Sequence, residues 1–152
     1  MVRAYVQTDI QKKIPSHIKR ELDRCARWAA ADGGYQHPHP LPNLLIEIVD
    51  PEVGGAGIIH YMQGRLKALA EKHRDFWRRK VEQPPVLYGL FIVNTTLLLL
   101  TVDAAKGPDA DVSYQVECKF SKMNQGVWNA ITVAIVVCRA RDDLVARKKH
   151  FA

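Results

Sequence analysis

Leu44-Leu45-Ile46-Glu47-Ile48-Val49 is the stretch that decides the fold. It is short and, apart from one acid, wholly apolar, which is typical of a strand that is covered on both faces. The preceding stretch 35–43 holds three prolines, and Pro51 with the glycines at 54, 55 and 57 follows the run. We therefore predict a strand over 44–49 between a loop and a glycine-rich connector.

Amphipathic helices are predicted on both sides of this strand. Upstream, Pro15 and Ser16 favour a helix start, and the apolar positions that follow are spaced as one face, so a helix is predicted over 16–31. Downstream, apolar residues recur at helical spacing from Ile58 to about Lys80, with basic residues mostly on the other side. This second pattern predicts a basic amphipathic helix.

The second half of the chain predicts three more strands and a final helix. The apolar stretches 86–93 and 96–102 flank Asn94-Thr95 and predict a hairpin, and alternation over 112–120 predicts a strand with one wet face. Stretch 124–148 predicts a helix, with a strand as the alternative because it is rich in β-branched residues. We expect the following residues of that helix to point inward: Val127, Ala130, Ile131, Ala134, Ile135 and Cys138. The fold class is α/β, a mixed β-sheet flanked by helices.

Composition indicates one domain in a reducing compartment. The 152 residues, 47% of them hydrophobic, are enough for one core, so 1–152 is predicted as a single domain with loosely ordered ends at 1–14 and 149–152. The three cysteines are widely spaced in apolar patterns, which favours free thiols. We find neither a leader nor an apolar run that would span a bilayer, so an intracellular protein, nuclear or cytoplasmic and without a membrane partner, is expected.

The order helix, strand with an acid, basic helix, hairpin, third strand, helix resembles the PD-(D/E)XK nuclease-like, or restriction-endonuclease-like, fold. The resemblance implies a carboxylate on a central strand, an acid upstream of it, a lysine two residues after it, and often a glutamine on the next helix. Glu47, Asp32 and Gln63 match three of these positions. The implied activity is metal-dependent phosphodiester cleavage, with Mg²⁺ held by Glu47 and Asp32 or Asp50.

The position of the expected lysine is Val49, which is the main departure from the family pattern. A valine neither positions a water nor neutralises a phosphate, so catalysis requires a cation from elsewhere. Arg65 or Lys67 on the basic helix would supply that charge. Without either of them, the resemblance implies a nuclease-like pseudo-enzyme that binds nucleic acid without cutting it.

The net charge of +6 favours a polyanionic partner. Twelve of the 22 basic residues fall in the segments 65–80 and 139–149. Nucleic acid, DNA or RNA, is therefore the expected partner. The predicted nucleic-acid-binding residues lie on the basic helix: Arg65, Lys72, Arg74, Arg78 and Arg79.

Two other functions fit the sequence. The first is a non-enzymatic protein-interaction module or structural subunit, homo-oligomeric, that uses the apolar final helix and the strand 112–120. The second is a phosphate or nucleotide binder that uses the Gly54–Gly57 loop between a strand and a helix, where amide groups and the helix dipole favour an anion. His37-Pro38-His39 is predicted to be a surface loop, and Trp28, Trp77 and Trp128 are predicted to point mostly inward.

Overall fold

The computed structural model describes residues 2–119 and 126–151, with side chains described for 13–119 and 129–151. Over these ranges the chain is an α/β structure with three α-helices and a four-stranded mixed sheet. The elements in chain order are α1 Val2–Gly33, β1 Leu44–Ile48, α2 Gly54–Lys80, β2 Val86–Val93, β3 Thr96–Asp103, β4 Ser113–Lys119 and α3 Gly126–Ala146. Short 3-10 segments cover Pro51–Val53, Ala104–Lys106 and Lys148–Phe151.

The strands lie in the order β1-β2-β3-β4, so β1 and β4 are the edges of the sheet. β1 runs parallel to β2, and the other neighbouring pairs are antiparallel. The resemblance implied a central strand around Glu47, and this expectation is wrong. α2 returns the chain to a position beside β1, and the next two strands extend the sheet only away from it.

The hairpin of β2 and β3 confirms the sequence prediction. Every residue of β2 is paired with one of β3, from Val86 opposite Asp103 to Val93 opposite Thr96. The turn is Asn94-Thr95, and Asn94 has φ 55°, a left-handed conformation that asparagine tolerates better than most residues. This hairpin forms the buried centre of the sheet.

Helices cover both faces of the sheet. α1 and α3 pack on one face, where the core includes Leu22, Leu90 and Val137. α2 packs on the other face, where the core includes Leu66, Leu69 and Phe91. In β1, Leu44 and Ile46 pack toward α1 and α3 while Leu45 and Val49 pack toward α2. The unbroken apolar run of β1 therefore reflects two helical layers, even though the strand lies at an edge.

β4 departs from the alternation that predicted a single wet face. Its register with β3 shifts between Leu99 and Leu100, so that Val116 pairs with Leu99 and Tyr114 pairs with Leu100. Because neighbouring residues of β3 face opposite sides of the sheet, this bulge places Tyr114 and Val116 on opposite faces. Cys118 is buried, but Tyr114 and Val116 are exposed. Phe120 lies outside the described residues.

The predicted final helix is confirmed as α3, and the strand alternative is wrong. The residues predicted to point inward from this helix, however, are mostly exposed. Ile131 and Ile135 are 44% and 55% exposed, and Ala130 and Ala134 are exposed as well. Cys138 is half-buried, and the side chain of Val127 is not among those described. Among the side chains of α3 that the structure describes, the buried ones are Asn129, Val133, Val136, Val137, Ala140 and Leu144.

Two helix starts also differ from prediction. α1 begins at Val2 and continues through Pro15, although a proline removes one helical hydrogen bond. α2 begins at Gly54, so the predicted connector Gly54–Gly57 forms the first turn of the helix. No helix among the described residues is long and apolar enough to cross a membrane.

Candidate nucleic-acid interface

The Glu47 carboxylate is bound by two side chains of α2. Arg65 donates from Nε and Nη2 to Oε1, at 2.9 and 2.5 Å, and the Tyr61 hydroxyl donates to Oε2 at 3.1 Å. The hydrogen bond to Glu47 raises the pKa of Arg65. The pKa of Tyr61 is also raised, mainly by burial and secondly by the hydrogen bond to Glu47. The Glu47 side chain is 20% exposed. Its charge is thus neutralised within the protein.

The other predicted acids lie apart from Glu47. Asp32 accepts a hydrogen bond from Arg141 of α3 at 2.9 Å, on the opposite side of the sheet from Glu47 and α2. Asp50 accepts the amide hydrogen of Glu52 at 2.9 Å and so caps the 3-10 segment after β1. Among residues 13–119 and 129–151, whose side chains are described, no three His, Cys, Asp or Glu form a group able to hold a metal. The donor arrangement does not fit the Mg²⁺ site that the resemblance implied.

Gln63 and Lys67 lie on the other flank of α2. Gln63 lines an apolar groove with Met62, Leu98 and Tyr114, on the side of β3 and β4. Lys67 follows Gln63 by one helical turn and is exposed. Neither residue faces Glu47, so the structure does not bring the predicted catalytic residues together.

The predicted nucleic-acid-binding residues divide into two rows along α2. Residues 65, 72 and 79 are seven positions apart and follow the flank beside β1, where Arg65 meets Glu47. Arg74 lies on the opposite flank and donates from Nη1 to the Gly107 carbonyl at 3.3 Å. Arg78 lies 4.0 Å from Asp75. The five residues therefore do not share one face.

The C-terminal turn of α2 meets the C-terminal segment of the chain. The rings of Phe76 and Phe151 stack with centroids 5.1 Å apart, and Trp77 contacts the ring of His150 edge-on. Arg147 donates from Nη2 to the Gln83 carbonyl at 3.4 Å. These contacts join two regions that are about seventy residues apart in sequence.

This junction gathers five exposed cations, which we call the basic end: Arg78, Arg79, Lys80, Lys148 and Lys149. Among the described side chains, only Arg78 of these has a carboxylate within ion-pair distance. Nearby acids are occupied, since Glu82 contacts His150 and Asp143 lies 4.0 Å from Arg147. Four positive charges thus face solvent without a carboxylate partner.

The sequence contained both basic segments but not their meeting point. The predicted site included Arg78 and Arg79 and omitted Lys80, Lys148 and Lys149. Phe151 and Phe76, which bring the segments together, have no distinctive spacing in the sequence. The run of three basic residues at 147–149 was the only local signal in the sequence that pointed to Lys148 and Lys149 as binding residues.

The Gly54–Gly57 segment does not form a free loop. Its glycines lie in the first turn of α2, and Gly54, at φ 78°, ends the preceding 3-10 segment. Asp50 and Glu52 lie beside this helix start and contribute negative charge. A phosphate there meets an unfavourable field, because the neighbouring carboxylates oppose the helix dipole.

The tryptophan predictions have mixed outcomes. Trp77 is fully buried, as predicted, whereas Trp28 is 58% exposed, contrary to prediction, and the side chain of Trp128 is not described. His73 is also fully buried and lies between the Pro42 carbonyl and the indole Nε1–H of Trp77, at 2.8 and 3.1 Å. Burial lowers the pKa of His73 to about 4. This neutral histidine is therefore a core residue.

No protein-family model, curated protein or solved structure matches this chain.

Proposed function

We propose that this protein binds nucleic acid through the basic end and does not cleave it. The observation that carries the proposal is the packing of two distant segments next to each other, which brings five exposed cations to one end of the protein; four of them have no carboxylate partner among the described side chains. Lysine and arginine side chains that lack acidic partners are available to neutralise phosphates and release their counterions. Phosphate contacts of this kind do not depend on base sequence.

The anchoring of the basic end favours a fixed binding surface. Trp77 is fully buried, and Phe151 packs against both Trp77 and Phe76. Arg147 stacks over the Trp77 ring with its guanidinium carbon 5.7 Å from the centroid. The segment Lys148–Phe151 is therefore anchored to the last turns of α2 through His150 and Phe151, and the Lys148 ammonium lies next to Gly34 at the end of α1.

Metal-dependent cleavage around Glu47, on a restriction-endonuclease-like core, is the alternative that the resemblance supports. Cleavage there requires Arg65 to release the carboxylate and an acid to approach from elsewhere. The pairing of Glu47 with Arg65 and Tyr61 favours a structural role for this acid. Binding without catalysis is the simpler reading of the geometry.

Salt-dependent binding tests the proposal. A labelled single-stranded oligonucleotide and the matching duplex are titrated with wild-type protein at several salt concentrations, by fluorescence anisotropy. Four phosphate contacts predict a slope of about −3 to −4 for log K against log salt. We expect Lys148→Glu with Lys149→Glu to reduce the magnitude of this slope by about 2, because two contacts are lost.

Lys13→Glu with Lys67→Glu is the matched control, because it makes the same charge change at exposed residues away from the basic end. We expect the control to retain the wild-type slope; equal losses in both double variants would contradict the proposed location. Incubation with Mg²⁺ tests the second part. Cleavage by wild-type protein that Glu47→Gln abolishes would contradict the non-catalytic reading and establish the nuclease.

A further inference from the structure

A groove follows the open edge of β1. Its first part is lined by α1, by the 35–43 loop and by β1, including Asp23, Tyr35, His39 and Ile46. Its second part is lined by Lys19, Arg20, Asp23, Arg27 and Ile48. Asp23 lines both parts, so the two lie next to each other along α1 and β1.

The backbone of β1 offers unpaired hydrogen-bonding groups to this groove. Tyr88 donates its amide hydrogen to the Asn43 carbonyl at 2.9 Å, and Val49 donates to the Ile92 carbonyl at 2.8 Å. In a parallel ladder these two bonds show that the odd-numbered residues of β1 face β2. Leu44, Ile46 and Ile48 therefore direct their amide and carbonyl groups outward, and none of these groups has a partner among the described residues.

Positive charge lies on both sides of the open edge. Arg20 and Arg27 stand on the α1 side next to Ile48, and neither has a carboxylate partner among the described side chains. On the α2 side, Lys72 is exposed and follows Arg65 by two helical turns on the same flank. Two acids line the groove, and both are paired: Asp23 with Lys19 at 2.8 Å, and Glu47 with Arg65.

We propose that an extended acidic peptide binds here as a fifth strand, paired with β1. Outward amide and carbonyl groups supply the affinity of strand addition, and alternate side chains of the added strand point to the two helical layers. Acidic residues on one face of the added strand then lie near Arg20 and Arg27, and those on its other face lie near Lys72. The five residues of β1 accommodate roughly 16 Å of extended peptide.

The other edge of the sheet is a poorer acceptor. β4 carries a bulge opposite Leu99 and Leu100, which breaks the regular spacing of its backbone groups. Glu117 stands on this strand, and it accepts a hydrogen bond from the Tyr114 hydroxyl at 3.3 Å. An irregular edge that bears an acid disfavours an added acidic strand.

Substitutions at Ile48 test the backbone contact. The probe is a fluorescein-labelled octapeptide that repeats Glu-Glu-Val-Val, so that each face of the added strand carries glutamates; it is titrated by fluorescence anisotropy. Ile48→Pro removes an outward amide hydrogen but no bond to β2, and proline is tolerated at such edge positions. We expect it to weaken binding about tenfold, whereas the control Ile48→Thr retains both the amide and wild-type affinity. Circular dichroism establishes that both variants are folded.

Charge variants test the chemistry of the partner. Arg20→Glu with Arg27→Glu is expected to abolish measurable binding of the glutamate-valine peptide, and a lysine-valine octapeptide is expected not to bind wild-type protein. The Lys148→Glu, Lys149→Glu variant is expected to bind the acidic peptide like wild type. Failure of nucleic-acid binding at the basic end is therefore distinguishable from failure of this site.

Four results would overturn the proposal. The first is the absence of acidic-peptide binding by the wild type, and the second is equal binding by folded Ile48→Pro and Ile48→Thr. The third is a homodimer that sedimentation shows to dissociate only in Ile48→Pro, because a second copy of the chain then occupies the edge. Displacement of the peptide by an oligonucleotide would likewise assign the groove to nucleic acid.

Discussion

α2 and α3 cover opposite faces of the same sheet, but charged residues mark the exposed surface along most of α2 and only in the C-terminal part of α3. The outer surface of α2 holds Arg65, Lys67 and Lys72, while Met62, Leu66 and Trp77 are buried. In α3, the exposed Ile131 and Ile135 are as apolar as the buried Val136 and Val137. Charged residues therefore define which face of a helix is buried, and an apolar helix leaves that choice to tertiary packing.

Truncation of one large side chain in each helix gives the largest contrast. Leu66 is fully buried in the core under α2, and Ile135 is 55% exposed on α3. We expect Leu66→Ala to lower the free energy of unfolding by about 4 kcal/mol and Ile135→Ala by less than about 1 kcal/mol. Urea unfolding at pH 7 measures both, and similar losses would show that Ile135 is buried.

Acidification tests the buried histidine of α2. The pKa of His73 falls from 6.5 to about 4 on folding, so the native state binds fewer protons than the unfolded chain between these values. The free energy of unfolding is therefore highest above pH 6.5, where His73 is neutral in both states. It decreases as the pH falls toward 4, because only the unfolded chain binds the proton. The loss amounts to about 3 kcal/mol.

Urea unfolding between pH 7 and pH 4 measures this loss. His73→Gln is expected to flatten the pH dependence, because it removes the titrating group. His60→Gln, at an exposed position of the same helix, is the matched control and is expected to retain the wild-type profile. Identical profiles for wild type and His73→Gln would contradict the assignment.

Replacing a valine by glycine is expected to change the free energy of unfolding in opposite directions at the ends of α2 and α3. Val81 follows α2 with φ 55° and is 94% exposed, a left-handed conformation that is strained for a β-branched residue. Val81→Gly relieves this strain and is expected to raise the free energy of unfolding by about 1 kcal/mol. Val145→Gly, in the last turn of α3, is expected to lower it by about 1 kcal/mol, because glycine is the weaker helix former and the contacts of the half-exposed valine are lost. Thermal and urea unfolding compare the two, and equal signs would refute the strain at Val81.

The smallest effect is expected for charges on the outer face of α3. Ile131 and Ile135 are 44% and 55% exposed, so neither is part of the core. We expect Ile131→Lys and Ile135→Lys each to change the free energy of unfolding by less than about 0.5 kcal/mol. A loss of several kcal/mol at either position, in the same urea assay, would restore the inward face that the sequence predicted.

Local signals in the sequence were sufficient for the hairpin and for α2. The Asn94-Thr95 turn set the register of β2 and β3, and the basic residues of α2 marked its outer side. The register of β4 was not predictable, because a bulge leaves no mark on the alternation of Tyr114, Val116 and Cys118. The start of α1 was not predictable for a different reason: Pro15 and Ser16 favour a helix start, but the proline is tolerated inside the helix.

The surroundings of Glu47 were only partly predictable. An acid among aliphatic residues required a partner, but local spacing did not identify Arg65, eighteen positions away, as that partner. The placement of Asp32 beside Arg141 depends on packing between the first and last helices. Contacts of this range arise from the whole fold rather than from any local pattern.

The bulge opposite Leu99 and Leu100 also gives β4 a spare residue. Gln115 lies between the paired residues Tyr114 and Val116 and has no partner in the register of β3. Shortening the strand by this residue restores regular pairing on both sides and leaves Cys118 opposite Leu97. We therefore expect the edge strand to tolerate deletion of one residue at Gln115 without a change in the packing of the core.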